Sequence, residues 1–143
     1  MSIAANRVMS GTWGQVWVAS ELWAEVSAFQ AKFTYTKEEQ QMAGQMAVDS
    51  KITNVKGTGS ITIKKVFSRT ANHSNQVLKG IDERLTIIGK LADPDAYGAE
   101  RVAFYNVSLD EEAIMDWKAG GTTEITIPFT FTEREWLQEV QPT

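Results

Sequence analysis

The chain has 143 residues, 43% of them hydrophobic and 22% charged, which is enough apolar material for one packed core and too little for two. It has no cysteine and one histidine, which removes disulfides, thiolate zinc sites, iron–sulfur clusters, thiol nucleophiles and any metal site needing two histidines. A net charge of −4 argues against tight nucleic-acid binding, and the lack of any long apolar run predicts neither a signal peptide nor a membrane span, hence a chain made and kept in a cytosol.

Apolar residues recur with period two over most of the length, which predicts a mainly β protein. The first strand is expected over residues 12–19, where Trp13, Val16, Trp17 and Val18 sit among Gly11, Gly14 and Ser20. Residues 22–37 read as one long strand. Its apolar positions change parity, from Ala24, Val26 and Ala28 to Phe29, Ala31, Phe33 and Tyr35, and such a change marks a β-bulge that bends the strand. Residues 38–58 have no clean period and predict a projecting loop or hairpin, with 46–48 and 51–55 as pieces able to pair. Alternation resumes over 59–67.

A short helix follows. Ser68 or Thr70 can cap its start, Phe67, Ala71, Ser74, Leu78 and Ile81 form a stripe, and Gly80 suits its end. Strands are expected at 84–91 and 100–109, joined by the turn-rich 92–99, and a turn of helix at 110–116. The last strand, 123–133, places Ile125, Ile127, Phe129 and Phe131 on one face and Glu124, Thr126, Pro128, Thr130 and Thr132 on the other. A proline lacks the N–H that a central ladder needs, so Pro128 predicts an edge or a bulge. No internal repeat or linker divides residues 1–143, which are expected to form one domain.

No motif carries chemistry. Gly57-Thr58-Gly59-Ser60 looks like a phosphate loop but precedes a strand and not a helix, so a turn is the expectation. Asp93-Pro94-Asp95 looks like the start of a calcium loop, yet Tyr97 and Phe104 fall at ligand positions. His73 lies among Asn72, Ser74 and Asn75 with no orienting carboxylate in view. The pairs Glu111 with Glu112 and Glu133 with Glu135 sit at element ends, where carboxylates are solvated. The sequons Asn72-His73-Ser74 and Asn106-Val107-Ser108 mean nothing without secretion. The expectation is therefore no catalytic residue, no metal ligand, no cofactor and no enzyme.

Charge is unevenly spread. Residues 1–71 hold eight basic and five acidic side chains, and residues 72–143 hold six and thirteen. Lys51, Lys56, Lys64, Lys65, Arg69 and Lys79 fall in a stretch, 50–81, that has no acid. This asymmetry suggests a basic and an acidic surface that meet between neighbouring copies: Lys51, Lys56, Lys64 and Lys65 against Glu111, Glu112, Glu133 and Glu135. Three of the five tryptophans, Trp13, Trp17 and Trp23, precede residue 24 and suit either a core or a subunit interface.

Four stretches occur in order: Asn6-Arg7-Val8-Met9-Ser10-Gly11-Thr12-Trp13-Gly14-Gln15-Val16-Trp17-Val18; Lys56-Gly57-Thr58-Gly59-Ser60 running on to Lys65-Val66; Glu100-Arg101-Val102-Ala103-Phe104-Tyr105-Asn106-Val107-Ser108-Leu109; and Ile127-Pro128-Phe129-Thr130-Phe131. Together they resemble the tail tube proteins of contractile-tailed phages, PBSX-like prophages and phage-derived R-type bacteriocins. The resemblance implies an antiparallel β-sandwich or half-barrel with one short helix, forming hexameric rings that stack into a β-barrel tube inside a contractile sheath. Residues 38–58 would then touch the next ring. The implied partners are further copies of itself, the sheath protein and a baseplate or tube initiator. DNA, where a genome is present, would pass without tight binding, and no membrane partner is implied. The implied location is a virion tail or bacteriocin particle assembled in the host cytoplasm.

The residues alone support a building block too, since long strands, a projecting segment and opposite charges favour heterologous contacts. Rival readings are a monomeric β-barrel or sandwich binding a small apolar ligand and, less strongly, a hydrolase using His73. For a tube, the polar face of the last strand, Glu124, Thr126, Thr130 and Thr132, or its counterparts Lys32 and Thr34, would face the lumen.

Overall fold

The computed structural model describes residues 2–142. Its strands are β1 (Gly14–Val18), β2 (Glu21–Leu22), β3 (Val26–Gln40), β4 (Asp49–Lys64), β5 (Leu85–Leu91), β6 (Glu100–Leu109), β7 (Glu124–Phe131) and β8 (Glu133–Gln138), with one α-helix, α1 (Ala71–Leu78), among the described residues. Every pairing is antiparallel. The order is β2-β1-β5-β6-β7-β4-β3, with β8 also on β6. β6 pairs with β5 and β8 along most of its length but with β7 only at Ser108 and Leu109. It therefore turns the corner between two layers, β2-β1-β5-β6-β8 and β7-β4-β3. The bend falls where β6 has an extra residue against β5, with Asn106 at φ 57°, the left-handed conformation that lets a bulge redirect a strand.

The core lies between the layers. Val16, Val18, Ile87, Phe104 and Val107 meet Ile61, Ile63, Ile125, Ile127, Phe129 and Phe131, with Trp23 buried beside them. Phe104 of β6 packs edge-on against Phe131 at 4.9 Å between centroids and against Phe29 of β3 at 5.9 Å. These contacts join the sheets through aromatic rings.

Several elements differ from the sequence expectation. Gly57 and Gly59 are not in a turn but in the middle of β4. A Cβ on Gly57 would lie 2.6 Å from the Phe131 carbonyl oxygen and 2.7 Å from its ring, and one on Gly59 would meet Gln30 O and, at 2.5 Å, Phe129 Cζ. The two glycines leave room for the rings of the neighbouring strand, so the pattern reflects packing and not a loop. Residues 46–48 do not pair with 51–55; they belong to the connection 41–48, and 51–55 pairs with β3. The first strand starts only at Gly14, because Gly11–Trp13 forms a 3₁₀ turn. The stretch 22–37 is split, since Leu22 belongs to β2 and β3 begins at Val26. β3 does carry a bulge, between Val26 and Ala28. Residues 110–116 are not helical, and β8 was not anticipated.

β7 is an interior strand paired with β4 without a register shift, contrary to the edge or bulge expected from Pro128. Asp110 N–H donates to the Pro128 carbonyl at 2.8 Å. In an antiparallel strand the nitrogen of the same residue faces that same side, so the missing N–H forfeits only the return bond to Asp110 at the end of β6 and leaves the β4–β7 ladder whole, without a bulge. The helix ends as expected: Gly80 has φ 84°, Ile81 N–H donates to Gln76 O and Gly80 N–H to Val77 O, a Schellman closure. Its stripe is not core, however. No helical residue is buried, and Phe67, Leu78 and Ile81 are exposed.

Candidate assembly surfaces

The layer β3-β4-β7 has two unlike faces. Phe29, Ala31 and Phe33 of β3, Ile61 and Ile63 of β4 and Ile125, Ile127, Phe129 and Phe131 of β7 face the core. By strand alternation the other face carries Ala28, Thr62 and Thr126 in one row, Gln30, Ser60 and Pro128 in the next, and Lys32, Thr58 and Thr130 in the third. Thr62 and Thr126 are joined through their hydroxyls at 3.1 Å. Thr34 lies opposite Lys56, and Lys64 opposite Glu124. The structure thus brings Lys32, Thr34, Glu124, Thr126 and Thr130 onto one surface, with Lys56 and Lys64 among them. Thr132 sits past the end of β7, where its hydroxyl accepts from Asn106 Nδ2 at 3.1 Å.

β3 and β4 run together well past the core. Beyond Phe33 and Gly57 the hairpin continues to Gln40 and Asp49, and its residues there are exposed on both faces. Beyond the bulge at Thr53, Lys51 lies opposite Glu38. Tyr35, Val55 and Ile52 continue the core-facing side of the layer into solvent, an apolar strip with no partner in the protomer. The alternation expected over 22–37 reaches Tyr35, but no periodic signal revealed Ile52 and Val55, because alternation becomes legible only where one face is buried.

The remaining candidates are scattered. Glu133 and Glu135 are on β8, opposite Tyr105 and Ala103. Glu135 accepts a 2.7 Å bond from the Tyr105 hydroxyl, which holds that phenol above its ordinary pKa because ionising it would break the bond beside a carboxylate. Glu111 and Glu112 lie in the β6–β7 connection, and Lys65 N–H donates to Thr123 O at the far end of that connection. His73 Nδ1 is 3.7 Å from Glu83, an orienting carboxylate invisible in the sequence, but has no hydrogen-bond partner. Between the layers an open cleft of about 600 Å³, lined by Phe29, Phe33, Val102, Phe104 and Trp136, is the feature a small apolar ligand would use.

One ionic cluster pins the elements. Arg69 donates to Glu25 at 2.5 and 3.0 Å and to Glu21, with its guanidinium 4.8 Å from the Phe67 ring centroid and 5.9 Å from that of Trp23. The bond to Arg69 holds the Glu25 carboxyl below its ordinary pKa, and Glu25 raises that of Arg69. The clamp ties the approach to α1 to the β2–β3 connection.

A model of the phage tail tube protein family matches residues 1–138. The chain belongs to that family. This tail tube protein is 29% identical over 146 residues to two proteins of Bacillus subtilis strain 168, the phage-like element PBSX protein XkdM and the uncharacterized protein YqbM, covering 100% of this chain and 99% of each. Its fold is also that of chains in solved assemblies. One is in the sheath/tube terminator of the PVC extracellular contractile injection system (TM-score 0.70, 10% identity, 94% of this chain and 100% of that one). Another is in the tube-terminating cap of the anti-feeding prophage (TM-score 0.69, 10% identity, 97% of both). The role is structural and not enzymatic, which sets aside the hydrolase and the ligand-binding monomer.

Proposed function

We propose that this tail tube protein forms hexameric rings that stack into the inner tube of a contractile tail, with the polar face of β3-β4-β7 lining the bore. The observation that carries the reading is that layer: apolar toward the core, hydroxyl-rich on the other side, and bounded by β3, which is paired on one side only. An edge of that length exposes a row of main-chain groups that a second copy can satisfy, and repeating the contact by rotation closes a ring. The hairpin beyond Phe33 reaches the next ring through Tyr35, Ile52 and Val55.

On this reading Lys32, Thr34, Glu124, Thr126 and Thr130 line the bore, with Thr132 at its end. Lys51, Lys56 and Lys64 share that face, whereas Lys65 remains free to meet Glu111 or Glu112 of a neighbour. Glu133 and Glu135 project from the opposite layer, toward the surrounding sheath. The solved assemblies of similar fold include a sheath–tube complex and a baseplate, which supports sheath and baseplate partners; on this reading the particle, a virion or a headless one, assembles in the host cytoplasm. On this wall Lys64 lies opposite Glu124 and Lys51 opposite Glu38, which leaves Lys32 and Lys56 without an acid across the ladder. Hydroxyls fill the rest, so DNA is held less tightly than by a lysine-lined bore, because retention grows with the number of unpaired cations releasing counterions from phosphate.

Negative-stain class averages of the purified or co-expressed protein should show six-fold rings or tubes. Glu124→Lys with Thr126→Lys should leave tubes intact and slow DNA ejection, or change ion conductance in a headless particle. Unchanged transport through such tubes would remove this face from the bore.

A further inference from the structure

Two other exposed apolar surfaces carry opposite charge. The first is the segment 66–81. Helix α1 turns Val77 and Leu78 outward, Leu78 being 83% exposed, and Ile81, just past the Gly80 turn, and Phe67, ahead of the helix, are exposed as well. Lys65 and Lys79 bracket this patch, and no acid falls within 50–81. Arg69 is already neutralised by Glu21 and Glu25, and Asp82, just past the segment, by Arg84. Lys65 and Lys79 against Glu83, which lies 3.7 Å from His73 of α1, leave the surface with a small positive excess.

The second is the part of the β6–β7 connection spanning 110–117. Met115 is 78% and Trp117 69% exposed, and Ile114 is equally open. Asp110, Glu111, Glu112 and Asp116 accompany them, against one base, Lys118, that follows Trp117. The segment is held in place, because Ala113 packs on the core and Asp110 N–H bonds to Pro128 O. A shielded oxygen of Glu112, Oε2, has no hydrogen-bond partner in the protomer, and such atoms are normally satisfied. Exposed Trp, Met and Ile on an anchored loop have the composition of an interface core.

We infer that the 110–117 loop of one copy docks on the α1 segment of the next, with Trp117, Met115 and Ile114 against Val77, Leu78 and Ile81, and the carboxylates facing Lys65 and Lys79. The inference rests on the ring assembly proposed above and names the surfaces that join its members. A second copy is the occupant that the charges select. The loop complements a surface present on every copy, whereas a loop-to-loop contact would oppose four carboxylates to four others. Two unlike surfaces on one chain make a heterologous contact, which propagates until rotation closes it.

The chain has no native cysteine, so introduced thiols are the only ones present. Leu78→Cys and Met115→Cys proteins, mixed and oxidised under assembly conditions, should give the 78–115 heterodisulfide in excess of either homodimer. A disulfide needs Cα atoms within about 7 Å, so Leu78→Cys mixed with Thr126→Cys should give none. Independently, Trp117→Asp should raise the concentration needed for assembly about tenfold or more, while leaving the monomer's melting curve unchanged. Mixing Trp117→Asp with Leu78→Asp should restore a dimer held by the one intact pair of surfaces. Rings or tubes that form normally from Trp117→Asp, without the 78–115 disulfide, would overturn the contact and leave the ring reading standing. A chain that stays monomeric at every concentration and beside its co-expressed tail proteins would overturn both.

Discussion

Replacing Gly59 by alanine tests how the two layers are packed. The added Cβ would lie 2.5 Å from Phe129 Cζ and closer still to the Gln30 carbonyl oxygen, which belongs to the paired main chain of β3. The ring can tilt, but the carbonyl cannot move without disturbing the β3–β4 ladder. Overpacking of this kind costs about 1–3 kcal/mol, and restricting the unfolded chain returns about 0.4–1 kcal/mol. The balance is a loss of roughly 1–2 kcal/mol, or a fall in Tm of about 2–8 °C for a domain of this size. Thermal and urea melts of Gly59→Ala measure it. Gly11→Ala, where nothing lies within 4 Å of the new Cβ, is the control and should differ little from the parent. Adding Phe129→Leu should produce less than the sum of the two single losses, because the cavity and the extra methyl compensate each other. A Gly59→Ala protein that melts with the parent would refute the packing account of the Gly-x-Gly pattern, and a strictly additive double variant would assign the whole loss to the Gln30 carbonyl and none to the Phe129 ring.

The β1–β2 turn offers a gain in stability, since Ala19 and Ser20 have φ 51° and 69°, values suited to Asn and Gly. Ala19→Asn with Ser20→Gly should stabilise by about 1 kcal/mol, read as a higher urea midpoint with an unchanged slope. Acid should weaken the Arg69 clamp. The Glu25 pKa is lowered in the fold from an ordinary 4.5, so its contribution is complete above that pH and is lost as pH falls through the folded value. Glu25→Gln should therefore lower Tm near neutrality and flatten its decline below about pH 4.5; parallel acid limbs would show that the clamp contributes nothing.

How much could be read from the sequence depended on one-sided burial. β7 falls where its alternation predicts, because it hides one face and wets the other; β6 also falls at Glu100–Leu109 as expected, although it is covered on both faces, with consecutive Ala103 and Phe104 buried and only Asn106 exposed. The hairpin past Tyr35 and the whole of β8 are exposed on both sides, so nothing selected an alternating pattern and periodicity had nothing to report. Gly57 and Gly59 misled for a different reason: a glycine that admits an aromatic ring from the next strand looks, in one dimension, like a glycine that admits a turn. The polar surface was legible one strand at a time, through Thr126 and Thr130 or Lys32 and Thr34. Their common face depends on register across sixty or more residues. The apolar loop at Ile114, Met115 and Trp117 gave only the weak signal of large side chains without periodicity.

β6 has a mechanical consequence. Because one strand serves both layers, the two faces of the protomer are coupled by continuous main chain and by ladder hydrogen bonds at Ser108 and Leu109, in addition to the interlocked rings of the core. A force dragging the outer layer along the inner one loads that covalent strand and those bonds together. The protomer therefore yields first by peeling at its free margins, β2 and β3 at the two ends of the strand order and β8 on its branch from β6. Burying β3 against a neighbour removes one of those starting points, so strength under shear grows with assembly.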